Sequence, residues 1–284
     1  MATTVTHPVS LDKELVNQLR QVALQLRRNM LVAATGKGQG YLGQGFGIAD
    51  FLAVLYFHEM RYDARNPNWE DRDRFYLSIG HYSIALWAAL AAADFIDSGL
   101  LPTYGADESP LEMSTIEGRV PGVEMTGGSL GHGLGIATGA ALGYRLRSKT
   151  ARIFVAISDG ELQEGSTWEA ATAAATFKLD NLVAFIDCNG IQADGPLVVN
   201  VEPVADKWRA FGWDTDEIDG NDISQLLSAM RWARARKGRP KAVVMRTTPG
   251  KGVPSLERRE RAHFIRVDET EWSTIATALR ENHE

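Results

Sequence analysis

The chain has 284 residues, of which 44% are hydrophobic and 23% charged, which is the composition of an ordinary globular protein. A formal net charge of −6 argues against a basic nucleic-acid-binding surface, and the single cysteine, Cys188, excludes an intrachain disulfide. We find neither a signal-peptide core nor an apolar run of roughly 18–20 residues, so we expect a cytoplasmic protein that does not span a membrane.

The first 125 residues alternate between apolar periodic segments and stretches rich in turn-forming residues. The predicted elements, in chain order, are a helix over 10–34 capped by Ser10, a glycine-rich loop over 36–47, an apolar helix over 48–58, a strand over 74–78, an alanine-rich helix from about 81 to 98, and an irregular region over 100–125.

The rest of the chain alternates helices with short apolar strands. The predicted elements are a helix over 131–147, a strand over 152–158, a helix over 164–178, a strand over 181–187, a weaker strand over 213–218, a helix over 222–236 and a strand over 242–247. This alternation is typical of βαβ units. We therefore expect an α/β fold with one doubly wound, mostly parallel sheet and helices on both faces, forming a single domain over residues 1–284.

Polar side chains follow two consecutive strands of this predicted sheet. Asp159-Gly160 comes directly after the first strand, and Asn189-Gly190 follows the next one, 30 residues later. That interval fits one βαβ unit, so both side chains should lie at the carboxyl edge of the sheet, where α/β proteins bind ligands. Either dipeptide alone is a common turn. Together they favour a Mg²⁺ site, because carboxylate and amide oxygens are ligands that this ion prefers.

The same stretch resembles a known family. Residues 158–165, with Trp168-Glu169-Ala170 and the segment 187–191, are similar to the thiamine-diphosphate signature of transketolases, except that Ser158 stands where glycine is usual. The resemblance implies thiamine diphosphate and Mg²⁺ as cofactors. It assigns these residues of the stretch to the site: Asp159 and Asn189 as side-chain metal ligands, Ile191 as a carbonyl ligand, and Gly160 with the adjoining Glu161 as cofactor contacts.

Two histidine-bearing segments extend the resemblance. Residues 73–81 look like the transketolase segment that places a histidine, here His81, at the diphosphate. Residues 249–253, with His263 downstream, resemble the segment that provides a second active-site histidine. Without the resemblance, His81 is better explained as a structural histidine and His263 as a surface one. With it, both are candidate catalytic and cofactor-binding residues.

Residues 121–131 resemble the transketolase loop whose backbone holds the rings of the cofactor. By that match Gly128, Ser129 and Leu130 line the cofactor. The charged run 257–261 is best explained as a solvated surface, with a sugar-phosphate contact as the alternative.

The predicted sugar site departs from the family pattern. Tyr41 stands where transketolases usually carry the histidine of a His-Pro-Gly run, and residues 117–120 occupy the place of a second usual histidine. Both of these histidines normally contact the sugar. We therefore expect an intact cofactor site and an unusual ketose or ketose phosphate as the substrate.

In this sequence we find no second sheet-forming region to act as the domain of full-length transketolases that binds the aminopyrimidine and supplies a catalytic glutamate. The resemblance therefore implies a separate C-terminal subunit as partner and a heterotetramer, with Glu164 near the subunit interface. The implied reaction is transfer of a two-carbon ketol unit from a ketose to an aldose, or between their phosphates. Two alternatives stay open: the α subunit of a 2-oxo acid dehydrogenase, and a noncatalytic cofactor-binding or regulatory subunit.

Overall fold

The computed structural model describes residues 12–193, 195–235, 237–266 and 269–281. Its helices are α1 Lys13–Thr35, α2 Leu42–Gly47, α3 Ala49–Val54, α4 Ser83–Ala92, α5 Gly133–Leu146, α6 Gly165–Thr176, α7 Val204–Ala210, α8 Ile223–Ala233, α9 Pro254–Glu257 and α10 Glu269–Glu281. Its strands are β1 Gln39–Gly40, β2 Arg74–Leu77, β3 Ile153–Ser158, β4 Leu182–Cys188, β5 Ile191–Gln192, β6 Gly195–Pro196, β7 Asp214–Asp219, β8 Lys241–Arg246 and β9 Ile265–Arg266. Within these ranges no helix is long and apolar enough to cross a membrane.

Five parallel strands form the central sheet, in the order β2-β3-β4-β8-β7. Along β3, Phe154 packs into the core on one face together with α1, α3, α4 and α8, whereas its neighbour Val155 packs on the other face with α5, α6 and α7. The same alternation separates Phe185 from Ala184 in β4. Both faces are therefore covered by helices, which confirms the predicted α/β fold with a doubly wound parallel sheet.

The predicted strands are confirmed to within one or two residues, but several helix ends differ from the prediction, among them the start of α1 and the end of α4. Helix α1 is capped by Asp12, whose carboxylate accepts a hydrogen bond of 2.9 Å from the backbone N–H of Glu14. The predicted cap, Ser10, lies outside the described residues. Helix α4 ends at Ala92 and not near Ser98, because Asp94 adopts a left-handed backbone (φ 60°) that a helix cannot continue through.

The predicted loop over residues 36–47 is wrong in its second half, which forms helix α2. A Cβ atom on Gly43 would lie 2.0 Å from the carbonyl oxygen of Ala262, and one on Gly45 would lie 2.8 Å from the sulfur of Met30. The glycines in this helix therefore allow close packing and do not mark a flexible loop.

Several elements were not predicted from the sequence. They are the short helices α7 and α9, the C-terminal helix α10, the hairpin of β5 with β6, and the antiparallel pair of β1 with β9. Helix α10 packs on α1, where Arg28 donates a hydrogen bond of 2.8 Å to the carbonyl oxygen of Leu279.

Candidate functional site

A cavity of about 850 Å³ opens at the carboxyl ends of β2, β3 and β4. It brings together seven of the ten predicted site residues, from five separate places in the chain: His81, Gly128, Leu130, Asp159, Gly160, Ile191 and His263. The other three predicted residues, Ser129, Glu161 and Asn189, are not part of its lining.

Asp159 is the buried carboxylate of this cavity. The residue is 2% exposed, and one oxygen accepts a hydrogen bond of 2.7 Å from the backbone N–H of Gly190. Burial, and then the nearby charge of Asp187, raises the pKa of Asp159 to about 7, although backbone N–H groups oppose this shift. In the described part of the chain no lysine, arginine or histidine forms an ion pair with Asp159. A buried carboxylate without a cationic neighbour is a natural ligand for a metal cation.

Asn189 lies at the end of the neighbouring strand, in a network centred on Asp187. Its side-chain amide donates to the hydroxyl of Tyr82 (2.8 Å) and to Asp187 (2.9 Å), and the Tyr82 hydroxyl also donates to Asp187 (2.8 Å). Because the nitrogen faces this network, the amide oxygen faces the backbone of Ile191, from which it accepts a hydrogen bond of 3.0 Å. The roles of Asp187 and Tyr82 in this network were not predicted from the sequence. For Asp187, a polar residue near the end of an apolar strand was a signal that could have indicated it.

Glu161 lies beneath the cavity wall. Its buried carboxylate accepts hydrogen bonds from the backbone N–H groups of Gly131 and Ser158 (both 2.9 Å) and from the hydroxyl of Ser78. Burial raises its pKa. These contacts tie the loop before α5 to the ends of β2 and β3, so Glu161 holds the residues that line the cavity.

Glycines allow the loop over residues 127–130 to pack closely at the cavity wall. A Cβ atom on Gly80 would lie 2.3 Å from the backbone nitrogen of Gly128, and Gly128 itself has a φ of 124°. Gly128 and Leu130 line the cavity, whereas Ser129 between them is exposed. The close contact at Gly80 also places the next residue, His81, at the cavity wall.

Three aromatic rings form one side of the cavity. The imidazole rings of His81 and His263 stack with centroids 4.9 Å apart, and the Tyr41 ring contacts both, at 4.9 and 5.4 Å. The pairing of β1 with β9 brings Tyr41 and His263 together across more than 200 residues. Burial, and secondarily the nearby His263, lowers the pKa of His81 to about 3, so this imidazole is neutral near pH 7.

Residues 11–282 match the family described as transketolase, thiamine diphosphate binding domain. The chain belongs to this family.

Relatives and solved structures agree with this assignment. A transketolase family protein of Sinorhizobium fredii, y4mO, is 51% identical over 258 residues, which are 90% of this chain and 92% of that protein. The 6-deoxy-6-sulfo-D-fructose transketolase subunit SqwG of Clostridium sp. is 38% identical over 267 residues, 92% of this chain and 97% of that protein. The structure of transketolase from Leishmania mexicana matches with a TM-score of 0.86 and 28% identity, covering 98% of this chain but 42% of that one.

These matches favour the transketolase interpretation over the α subunit of a 2-oxo acid dehydrogenase and over a noncatalytic regulatory subunit. They also show that this chain spans less than half the length of the solved transketolase.

Residues 117–120 do not line the cavity. We expected residues 117–120 at the sugar site, but Glu117, Gly118 and Arg119 are exposed and outside the cavity lining, which instead includes Met113 and Ser114. The chain turns away from the cavity after Ser114, because Thr115 is buried. The backbone N–H of Gly127 donates a hydrogen bond both to the carbonyl oxygen of Thr115 (2.9 Å) and to its hydroxyl (3.0 Å). The charged run 257–261 contributes no side chain to the cavity lining either.

Proposed function

We propose that this chain is the cofactor-binding subunit of a two-chain transketolase, organised as a single domain over residues 1–284. It would transfer a two-carbon ketol unit from a ketose to an aldose, or between their phosphates, after pairing with a C-terminal subunit. The observation that carries the proposal is the single cavity in which residues from all four transketolase-like segments meet.

Mg²⁺ fits the polar corner of this cavity. Asp159 offers a buried carboxylate that forms no ion pair within the described residues, Asn189 an amide oxygen that is turned away from the Asp187 network, and Ile191 a backbone carbonyl. In the ranges that the structure describes, no group of three or more His, Cys, Asp or Glu residues could hold a metal. We therefore propose that the ion takes its remaining ligands from the diphosphate and from water, as Mg²⁺ commonly does.

The thiamine diphosphate would lie across the cavity, from Gly160 at the metal corner to Gly128 and Leu130. When bound, it supplies the nucleophilic carbon and the electron sink that two-carbon transfer needs. The chain itself supplies two stacked imidazoles. His81 is neutral in the described structure and can donate a hydrogen bond to an anionic oxygen, and the negative charge of a diphosphate beside it would raise its pKa. We propose that His81 and His263 hold phosphate oxygens and move protons during the reaction.

A second chain would complete the enzyme. The length comparison supports this: the chain covers 97% of a relative that is itself named a subunit, but 42% of a solved transketolase. We propose a heterotetramer of two chains of each kind, working in the cytoplasm. That second chain would supply the aminopyrimidine-binding domain and the catalytic glutamate that the family resemblance implies.

The substrate would be an unusual ketose or ketose phosphate. Tyr41, and not a histidine, packs against His81 and His263 in the cavity wall, and residues 117–120, which take the place of a second usual histidine, contribute no side chain to the cavity lining. A relative named for 6-deoxy-6-sulfo-D-fructose supports this choice. High turnover of xylulose 5-phosphate with ribose 5-phosphate by the assembled enzyme would refute it.

Calorimetry tests the cofactor assignment. The chain is titrated with thiamine diphosphate, with and without Mg²⁺, alone and mixed with the C-terminal transketolase chain of the same organism. We expect Mg²⁺-dependent binding that is tightest in the mixture and is lost in Asp159→Asn, which keeps the side-chain volume but removes the charge. Asp206→Asn is the control, because Asp206 is on the exposed surface of α7. No binding by a folded and associated pair would contradict the proposal.

A further inference from the structure

The lining of the cavity contains no lysine or arginine among the residues that the structure describes. The proposed diphosphate is strongly anionic, and an anion taken out of water must be met by a cation or by hydrogen-bond donors. A bound Mg²⁺ ion would neutralise part of the charge. The remaining phosphate oxygens therefore need neutral donors close to Gly160, where the proposed diphosphate lies.

Gln192 places such a donor beside Gly160. It directly follows Ile191, and both residues line the cavity. A Cβ atom on Gly160 would lie 3.5 Å from the side-chain nitrogen of Gln192 and 3.6 Å from the hydroxyl oxygen of Ser158. Gly160 has no side chain, so the space between these two polar groups is open to a ligand oxygen.

The chain fixes the orientation of the Gln192 amide. The backbone N–H of Val198 donates a hydrogen bond of 2.8 Å to its side-chain oxygen. Because only the oxygen of an amide can accept, the nitrogen faces the other way, towards Gly160. The pairing of Gln192 with Gly195 in the hairpin of β5 and β6 holds its backbone. Within the described ranges the nitrogen has no hydrogen-bond partner, so its two hydrogens can be donated to a ligand.

We infer that Gln192 is a further diphosphate-binding residue, whose amide nitrogen donates a hydrogen bond to a phosphate oxygen beside Gly160. This inference rests on the proposed cofactor site and adds to it a side chain that the family resemblance does not assign. A hydrogen bond to an ionised oxygen is roughly twice as strong as one between neutral groups. The contact should therefore contribute measurably to the affinity for the cofactor.

Two variants separate this donor from the structural contact with Val198. Gln192→Glu keeps an oxygen for the N–H of Val198 but replaces the amide nitrogen by a second oxygen. Gln192→Met keeps the length of the side chain and removes both groups. The matched control is Gln25→Glu, which makes the same chemical change on the exposed surface of α1.

The test is calorimetric titration of this full chain, mixed with the C-terminal transketolase chain of the same organism, at pH 8. The two probes are thiamine diphosphate and inorganic pyrophosphate, each in the presence of Mg²⁺. Inorganic pyrophosphate carries the phosphate groups without the rings, so it reports on the diphosphate end of the site alone. Circular dichroism should show that the variants fold, since the side chain of Gln192 is only partly buried.

We expect Gln192→Met to weaken the binding of both probes about tenfold, because it removes one hydrogen bond to a charged group. Gln192→Glu should weaken both about a hundredfold, because it also places a negative charge beside the phosphate. Gln25→Glu should bind both probes as the wild type does.

Wild-type affinity in Gln192→Glu would overturn the inference while leaving the proposed enzyme intact. If Gln192→Met alone is weakened, Gln192 acts only by holding Val198. Weaker binding of thiamine diphosphate with unchanged binding of pyrophosphate would also overturn the inference, because the contact would then be to a ring of the cofactor. If the wild type binds neither probe, the proposed cofactor site and the role of Gln192 both fail.

Discussion

The buried imidazole of His81 should make the isolated chain less stable at mildly acidic pH. Its pKa is lowered from 6.5 to about 3 in the folded chain, mainly by burial and secondarily by His263, and the rings of Tyr41 and Tyr82 also pack against the imidazole. Between about pH 6.5 and pH 3, His81 therefore binds a proton in the unfolded chain but stays neutral in the folded chain. The stability that depends on the neutral ring is complete above about pH 6.5 and falls as the pH drops towards 3.

The proton-linkage relation gives the size of this effect. With pKa values of 6.5 unfolded and about 3 folded, lowering the pH from 7 to 5 reduces the free energy of unfolding by roughly 2 kcal/mol through His81 alone. The full loss below pH 3 approaches roughly 5 kcal/mol, because each pKa unit corresponds to about 1.36 kcal/mol. Carboxylates also titrate in this range, so the prediction concerns the difference between the wild type and a variant that lacks the imidazole.

The assay is urea denaturation at pH 7 and pH 5 without phosphate or cofactor, for the wild type and for His81→Gln. Loss of ring stacking lowers the stability of the variant at both pH values, but its loss between pH 7 and pH 5 should be smaller by roughly 2 kcal/mol. His58→Gln is the control, because His58 is exposed. If the wild type and His81→Gln lose the same free energy between the two pH values, the burial argument for His81 is wrong.

Three further predictions concern two glycines, Gly80 and Gly139, and the buried Glu161. Gly80→Ala should abolish cofactor binding and lower the melting temperature, because its Cβ would lie 2.3 Å from the backbone nitrogen of Gly128; unchanged calorimetric titrations would contradict this. Gly139→Ala, in α5, should instead stabilise the chain by about 0.5–1 kcal/mol in urea denaturation, because among the described residues no atom outside the adjoining turns of α5 would lie within 4 Å of the new Cβ. Glu161→Gln cannot accept from all its present donors, including the N–H of Gly131, and should cost about 1–3 kcal/mol and weaken cofactor binding. A variant that binds thiamine diphosphate as the wild type does would show that Glu161 does not hold the loop.

The sheet could be predicted because its strands are short apolar runs, separated by segments in which apolar residues recur with helical spacing. Both patterns can be recognised from residues that are close together in the sequence. Asp159 and Asn189 could be placed at one edge for the same reason, since each directly follows a strand. Helix α2 could not be predicted, because the glycines that suggest a loop are there to allow contact with Ala262 and Met30, which are distant in sequence.

The position of Tyr41 beside His263 could not be predicted from the sequence either. It depends on two-residue strands, β1 and β9, that pair across more than 200 residues and leave no periodic signal. Glu161 was expected to touch the cofactor because it belongs to the signature. The structure places its carboxylate beneath the cavity wall, where it accepts hydrogen bonds from Ser78, Gly131 and Ser158, and the spacing of the signature alone could not show this.

The central claim is that the cavity at the carboxyl edge of the sheet holds thiamine diphosphate through a divalent metal. The most direct test is a crystal structure of the two-chain complex with thiamine diphosphate and Mn²⁺ in place of Mg²⁺, with the metal located by anomalous scattering. We predict one metal peak within about 2.0–2.3 Å of oxygens from Asp159, Asn189 and the Ile191 carbonyl, with the diphosphate against Gly160. A metal peak or a cofactor located away from Asp159 would contradict the account.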